Sequence, residues 1–85
     1  MKHQYKLRFI SACPVDGEEI NYDLTLKTEI PIMAEEIIDC AANEGKPALQ
    51  EDLAEQFAFR FPYAGGRLKG IHKAITIASC WKASQ

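Results

Sequence analysis

Chemistry on this chain starts at Cys13. The stretch Phe9-Ile10-Ser11-Ala12-Cys13-Pro14-Val15-Asp16-Gly17 runs an alternating strand straight into a thiol and a turn. Proline directly after the cysteine fixes the backbone there, so the sulfur is held where a ligand can meet it. A thiolate attacks electrophilic carbon well, which makes Cys13 a candidate nucleophile. The competing reading is that Cys13 is a small, half-buried apolar residue that closes the strand, as free cysteines commonly are.

Little else carries a recognisable chemical signature. Cys13, Cys40 and Cys80 are odd in number and far apart, with neither a disulfide framework nor a zinc-finger spacing. His3 and His72 are the only histidines, so a histidine-rich catalytic zinc site is excluded unless other chains contribute, no metal ligand set is read, and both residues are assigned to strand surfaces. Ser11 and Ser79 have no histidine at the spacing of a serine hydrolase. Gly65-Gly66-Arg67 lacks the strand-loop-helix context of a phosphate loop and reads as a turn.

The elements that must position Cys13 follow from periodicity. Tyr5, Leu7 and Phe9 alternate with Lys6 and Arg8, and Ile20, Tyr22, Leu24 and Leu26 alternate with Asn21, Asp23, Thr25 and Lys27. Between these runs Pro14-Val15-Asp16-Gly17 supplies turn residues, so two antiparallel strands joined by a hairpin are predicted. After Pro31 the period changes. Met33, Ile37, Cys40 and Ala41 share a helical stripe that should end near Asn43-Glu44-Gly45. A second helix is predicted to start at Pro47, with the stripe Leu49, Leu53, Phe57 and Phe61 widened by Ala54 and Ala58, and with Glu51 and Asp52 near the positive end of its dipole. Pro62 to Gly66 breaks it. Leu68 to Trp81 reads as one long strand, or as two short ones divided near His72-Lys73. Trp81 either packs on the sheet or belongs to an interface. The fold class is α+β, a two-layer sandwich of order β-β-α-α-β(-β) with two helices on one face of an antiparallel sheet.

Glu51 is the second residue with chemical potential. A carboxylate accepts two parallel N–H donors, the pattern of a guanine-type edge, although a glutamate in a first helical turn is also an ordinary dipole partner.

The 85 residues make one domain near the lower end of what a single core stabilises, and 47% hydrophobic content with 5 glycines and 4 prolines is globular in character. A net charge of −2 argues against a general nucleic-acid binder. Of the 12 acidic residues only Asp16 lies outside Glu18–Glu55, while eight of the basic residues occupy the two ends, so a sheet built from both ends would carry a modest basic surface. No apolar run is long enough to span a bilayer and no signal peptide is evident, which places the chain in the cytoplasm as an expectation.

Taken together, these segments resemble the tunnelling-fold enzymes, most closely the 7-cyano-7-deazaguanine (nitrile) reductases and their archaeosine amidinotransferase relatives. That family carries F-x-S-x-C-P-x-x-G-x-x-x-aromatic, whose cysteine adds to a nitrile carbon as a thioimide. Phe9, Ser11, Cys13, Pro14 and Gly17 fit in register, with the aromatic displaced by one residue to Tyr22. Gln50-Glu51-Asp52 stands where the family has His-Glu-Asp, and Ala74-Ile75-Thr76-Ile77 is similar to its closing Gly-Ile-x-Ile strand. The resemblance implies Cys13 as nucleophile, Glu51 as anchor of a purine-like base, Gln50 and Ser11 as further ligand contacts, and a homo-oligomer whose sites lie at subunit junctions.

The departures are specific. Ile20 stands where the reductases place their acid, with Asp16 and Glu19 as nearby turn residues, and Gln50 replaces a proton-transferring histidine. No segment resembles the nicotinamide contacts, so no cofactor is expected. The zinc-binding pterin-synthase branch fits worse, since Glu18-Glu19-Ile20-Asn21-Tyr22 has no imidazole. The implied function is a small protein that binds a purine-like or 7-deazaguanine ligand, with thioimide formation or an amidinotransferase-type step as the limit of its chemistry. Two alternatives stand beside it. One is a non-catalytic module that docks a protein partner, such as an accessory protein of a mobile element. The other is weak nucleic-acid binding through the basic sheet.

Overall fold

In the computed structural model, which describes residues 1–85, the alternating apolar positions settle into two strands, β1 (His3–Ala12) and β2 (Glu19–Thr28). They pair antiparallel, with Tyr5 opposite Leu26, Leu7 opposite Leu24 and Phe9 opposite Tyr22. Because side chains alternate across a strand, this register puts every one of those residues on one face. Phe9 and Tyr22 stack with ring centroids 5.1 Å apart. At the far end of β2 the buried Thr28 hydroxyl accepts from the Ile30 amide at 2.9 Å and donates to the Ile30 carbonyl at 3.0 Å, turning the chain out of the sheet. The Tyr5 hydroxyl then receives the Ile32 amide at 2.9 Å.

Helix α1 spans Ala34–Ala42, and its buried residues Ile37, Cys40 and Ala41 are those of the sequence stripe. Met33 departs from it. Its backbone is extended (φ −71°, ψ 131°), so it precedes the helix, and it is 65% exposed. A left-handed Asn43 (φ 50°) ends the helix and leads into a single 3-10 turn, Asn43–Gly45. Helix α2 spans Gln50–Arg60 rather than starting at Pro47, because the chain stays extended through Leu49 (ψ 152°) and buries Ala48 first. Leu49 is consequently 40% exposed, while Leu53, Ala54, Phe57 and Phe61 are buried. Arg60 donates to Asp39 of α1 at 2.9 Å and ties the two helices together.

Strand β3 (Gly65–His72) pairs with β2, and β4 (Ile75–Trp81) pairs with β3, giving an antiparallel sheet of order β1-β2-β3-β4. Gly65-Gly66 therefore opens a strand instead of making the predicted turn. The reason is contact across the pair: a β-carbon on Gly66 would sit 2.2 Å from an indole carbon of Trp81, so only glycine lets that ring lie on β3. Both helices cover the same face of the sheet, with α1 toward β1 and α2 over β3 and β4. The order β-β-α-α-β-β is complete because Leu68–Trp81 divides at the two-residue turn Lys73-Ala74.

That turn has positive φ at both residues (51° and 66°), the backbone that matches strand twist in a two-residue hairpin. Neither side chain favours it. Ala74→Gly is expected to stabilise the chain by about 1 kcal/mol, which in a domain of this size raises Tm by about 4–8 °C. A thermal melt with unchanged or lowered Tm contradicts this.

The opposite face of the sheet is open. It carries Lys6, Arg8, Arg67 and Lys69 around a shallow cleft of about 460 Å3 that also includes Asp23, with Arg8 paired to Asp23 at 3.1 Å. The basic ends of the sequence do meet on one sheet surface.

Candidate functional site

Strand order decides which residues surround Cys13. The β1–β2 turn and the β3–β4 turn lie at the same end of the sheet, since Asn21 near the start of β2 pairs with Ile71 near the end of β3. The first turn is closed by two backbone bonds of 2.8 Å, from the Cys13 amide to the Glu18 carbonyl and from the Gly17 amide to the Cys13 carbonyl. The Asp16 carboxylate also caps it by accepting the Glu18 amide at 3.0 Å. Cys13 is buried at this end of the core.

His72, from the end of β3, completes the group. Its Nε2 lies 3.2 Å from Asp16 Oδ2 and 3.7 Å from Glu18 Oε2. Lys73 Nζ stands 3.2 Å from the same Asp16 oxygen. The Cys13 sulfur, an Asp16 oxygen and a His72 nitrogen all lie within 4.8 Å of one another. The Glu18 amide, and after it the Lys73 ammonium and the Cys13 thiol, hold the Asp16 carboxyl well below the usual carboxylate range. Asp16 is thus an anion that orients its neighbours, not a proton donor. Its hydrogen bond in turn raises the pKa of Lys73. Glu19, the other residue near the position of the reductases' acid, is exposed on β2.

Beneath this cluster lies Tyr22, 1% exposed, with a buried hydroxyl that has no hydrogen-bond partner. Burial raises its pKa, and negative charge on the nearby Cys13 raises it further. Its ring leans over Gly70, where a β-carbon would sit 2.7 Å from a Tyr22 ring carbon and 2.6 Å from Gln50 Oε1. Gln50, first residue of α2, reaches down onto the sheet. Its Nε2 donates to the carbonyls of Leu68 at 3.0 Å and Ile77 at 2.9 Å, and to Ser79 Oγ at 3.3 Å. The amide nitrogen is spent on these bonds, which leaves the Oε1 side of the carboxamide over Gly70.

Ser11 is half-buried on the helix-side face of β1, opposite Ile20. Glu51 is exposed on the first turn of α2 and takes part in no ion pair or side-chain hydrogen bond. The cleft beside the cysteine turn, about 860 Å3, is lined by Pro14, Pro47, Leu49, Asp52 and Phe59 among others, but by neither Cys13 nor Glu51. Cys13 is therefore grouped with Asp16, His72 and Tyr22, and that cleft does not join it to Glu51.

Sequence places His72 on a strand surface, and it does end β3, half-buried, but local pattern gives no sign of its neighbours Asp16 and Glu18. It lies 56 residues from Asp16, and only the pairing of β2 with β3 brings the two turns together. The arrangement brings a thiol, an imidazole and a carboxylate together, with Asp16 as the shared anionic partner of His72, Lys73 and Cys13.

Comparison with protein-family models and with curated proteins gives no match. Among solved structures, the chain superposes on the apo form of the archaeosine synthase QueF-like protein with a TM-score of 0.80 at 15% identity, covering 99% of this chain and 94% of that one. At that identity the likeness is one of architecture, and over nearly its whole length this chain has the fold of the archaeosine synthase QueF-like protein.

Proposed function

We propose that the protein binds a purine-like ligand of the 7-deazaguanine class and that Cys13 bonds to an electrophilic carbon on it. One observation carries this reading. The sulfur of the cysteine stretch is grouped with Asp16 and His72 within 4.8 Å, on a fold shared with an archaeosine synthase QueF-like protein. In the addition, sulfur bonds to the nitrile carbon, one π bond of the nitrile breaks, and the thiol proton ends on the nitrile nitrogen, giving a thioimide. His72 carries that proton while Asp16 holds the ring and offsets the imidazolium charge. The apolar Ile20 supplies no acid for reduction, so the chemistry stops at the thioimide or passes to an amine in an amidinotransferase-type step.

Recognition of the base falls to Glu51, whose carboxylate is unpaired and exposed, with Ser11 and the Gln50 carboxamide oxygen as further contacts. A second copy of the chain completes the site by presenting Glu51 to the Cys13 of its neighbour. Mixing the protein with 7-cyano-7-deazaguanine is expected to raise the intact mass by one ligand per chain, and Cys13→Ser to abolish the increase with the fold retained. An unchanged mass, together with no heat of binding in calorimetry, removes this reading.

One observation favours a docking module instead. Ile75 and Ile77 are 63% and 49% exposed on β4, which pairs on one side only and offers an edge to an extended partner. Under that reading Cys13→Ser leaves partner binding unchanged.

A further inference from the structure

The group around Cys13 has a second chemical character that does not depend on a purine ligand. Cysteine, histidine and carboxylate are ligand types for a borderline transition cation. We propose that Cys13 Sγ, His72 Nε2 and Asp16 Oδ2 hold a zinc ion, with Glu18 Oε2 as the fourth ligand.

The carboxylate–imidazole spacings are close to those of a tetrahedral site. Zinc bonds of about 2.0–2.3 Å in a tetrahedron place ligand atoms about 3.3–3.7 Å apart. His72 Nε2 is 3.2 Å from Asp16 Oδ2 and 3.7 Å from Glu18 Oε2. The sulfur lies within 4.8 Å of an Asp16 oxygen and a His72 nitrogen and has to draw in, and the Glu18 carboxylate, outside that three-residue group, swings toward it. The mixed donor set of thiolate, imidazole and carboxylate selects zinc or cobalt over magnesium or calcium, which prefer all-oxygen shells. It also differs from the three-histidine set that the sequence excludes, since it needs one imidazole only.

Two further groups fit a loaded site. Lys73 Nζ, 3.2 Å from Asp16 Oδ2, is on a side chain 58% exposed and can swing outward. Three anionic ligands around a divalent ion leave one negative charge, which an ammonium at the rim balances. The Tyr22 hydroxyl, buried beside Cys13 without a partner, is the donor that a metal-bound sulfur would accept from. Binding releases the thiol proton to solvent as the sulfur becomes a thiolate. The ion then bridges the two turns, joining residues 13–18 to the end of β3. Metal and electrophile need the same sulfur and exclude one another.

Cobalt reports on this directly, because cobalt bound by thiolate has a near-ultraviolet charge-transfer band. Titration of the full chain with Co2+ alone is expected to give that band with one ion per chain. It should persist in Cys40→Ser and Cys80→Ser, vanish in Cys13→Ser, and require at least about 10–100-fold more cobalt in His72→Ala, since loss of a ligand costs no less than loss of an outer-shell partner. His72 is on a strand end outside the core, so this variant keeps the proposal testable should Cys13→Ser lose its fold. Absence of the band in the unaltered protein, its survival in Cys13→Ser, or an unchanged affinity in His72→Ala overturns the site. The nitrile-adduct experiment leaves this result untouched, so either proposal fails without the other.

Discussion

Phe57→Ala is expected to cost about 3–5 kcal/mol, the range for removing a fully buried phenylalanine. Phe57 is 0% exposed at the centre of α2, with its ring 6.3 Å from that of Phe9 across the two layers. The neighbouring core residues Leu53, Leu26 and Leu68 are equally inaccessible, so the void has little room to collapse. Total stability for a domain of this size is about 5–15 kcal/mol, so the variant sits near the edge of folding. Phe57→Leu, which keeps most of the volume, is expected to lose much less. Urea denaturation checks both. A loss below about 1 kcal/mol for the alanine variant, far under the core range, is incompatible with α2 anchoring the core. Because Phe9 also stacks on Tyr22, the damage extends to the wall beneath Cys13.

Gly70→Val is expected to cost about 3 kcal/mol or more, at the top of the range for overpacking. The first added carbon alone would lie 2.7 Å from the Tyr22 ring and 2.6 Å from Gln50 Oε1. Loss of backbone freedom in the unfolded chain works the other way, but at about 0.4–1 kcal/mol it is the smaller effect. Tyr22 is pinned between Phe9 and β3 and cannot rotate away cheaply, so Gln50 must move and surrender its bonds to Leu68, Ile77 and Ser79. At about 4–8 °C per kcal/mol the fall in Tm is large. A Tm equal to or above that of the unaltered protein would show that the close approach at Gly70 carries no weight.

How much of this was legible depended on the range of each cause. The first hairpin was, because strict alternation on both sides of Pro14–Gly17 leaves one register that buries Leu7, Phe9, Tyr22 and Leu24 together. The last hairpin was left open, because Lys73-Ala74 carries none of the Asn-Gly or Gly-Gly signal that a two-residue turn usually shows. Gly65-Gly66 was misread as a turn since its reason is an indole ring 15 residues away. Within the candidate site, the strand end and the following proline single out Cys13 but do not separate a packed thiol from a reactive one. Gln50 was picked out only by its position in the resemblance, and nothing local indicates that its amide bonds to sheet carbonyls. His72 could not be found from local pattern at all, because its partners are reached through the order of strands in the sheet.

The distance along the chain between the two turns has a consequence during synthesis. Asp16 precedes His72 by 56 residues. At translation rates of about 5–20 residues per second, the cysteine loop waits roughly 3–11 s on the ribosome before its imidazole is made. Over that interval α1 and α2 are made, but the loop lacks both the His72 imidazole and the strand β3 that pairs beside β2. The Cys13–Asp16–His72 group is therefore assembled last, when the final hairpin docks, and a polypeptide stalled short of that point lacks it.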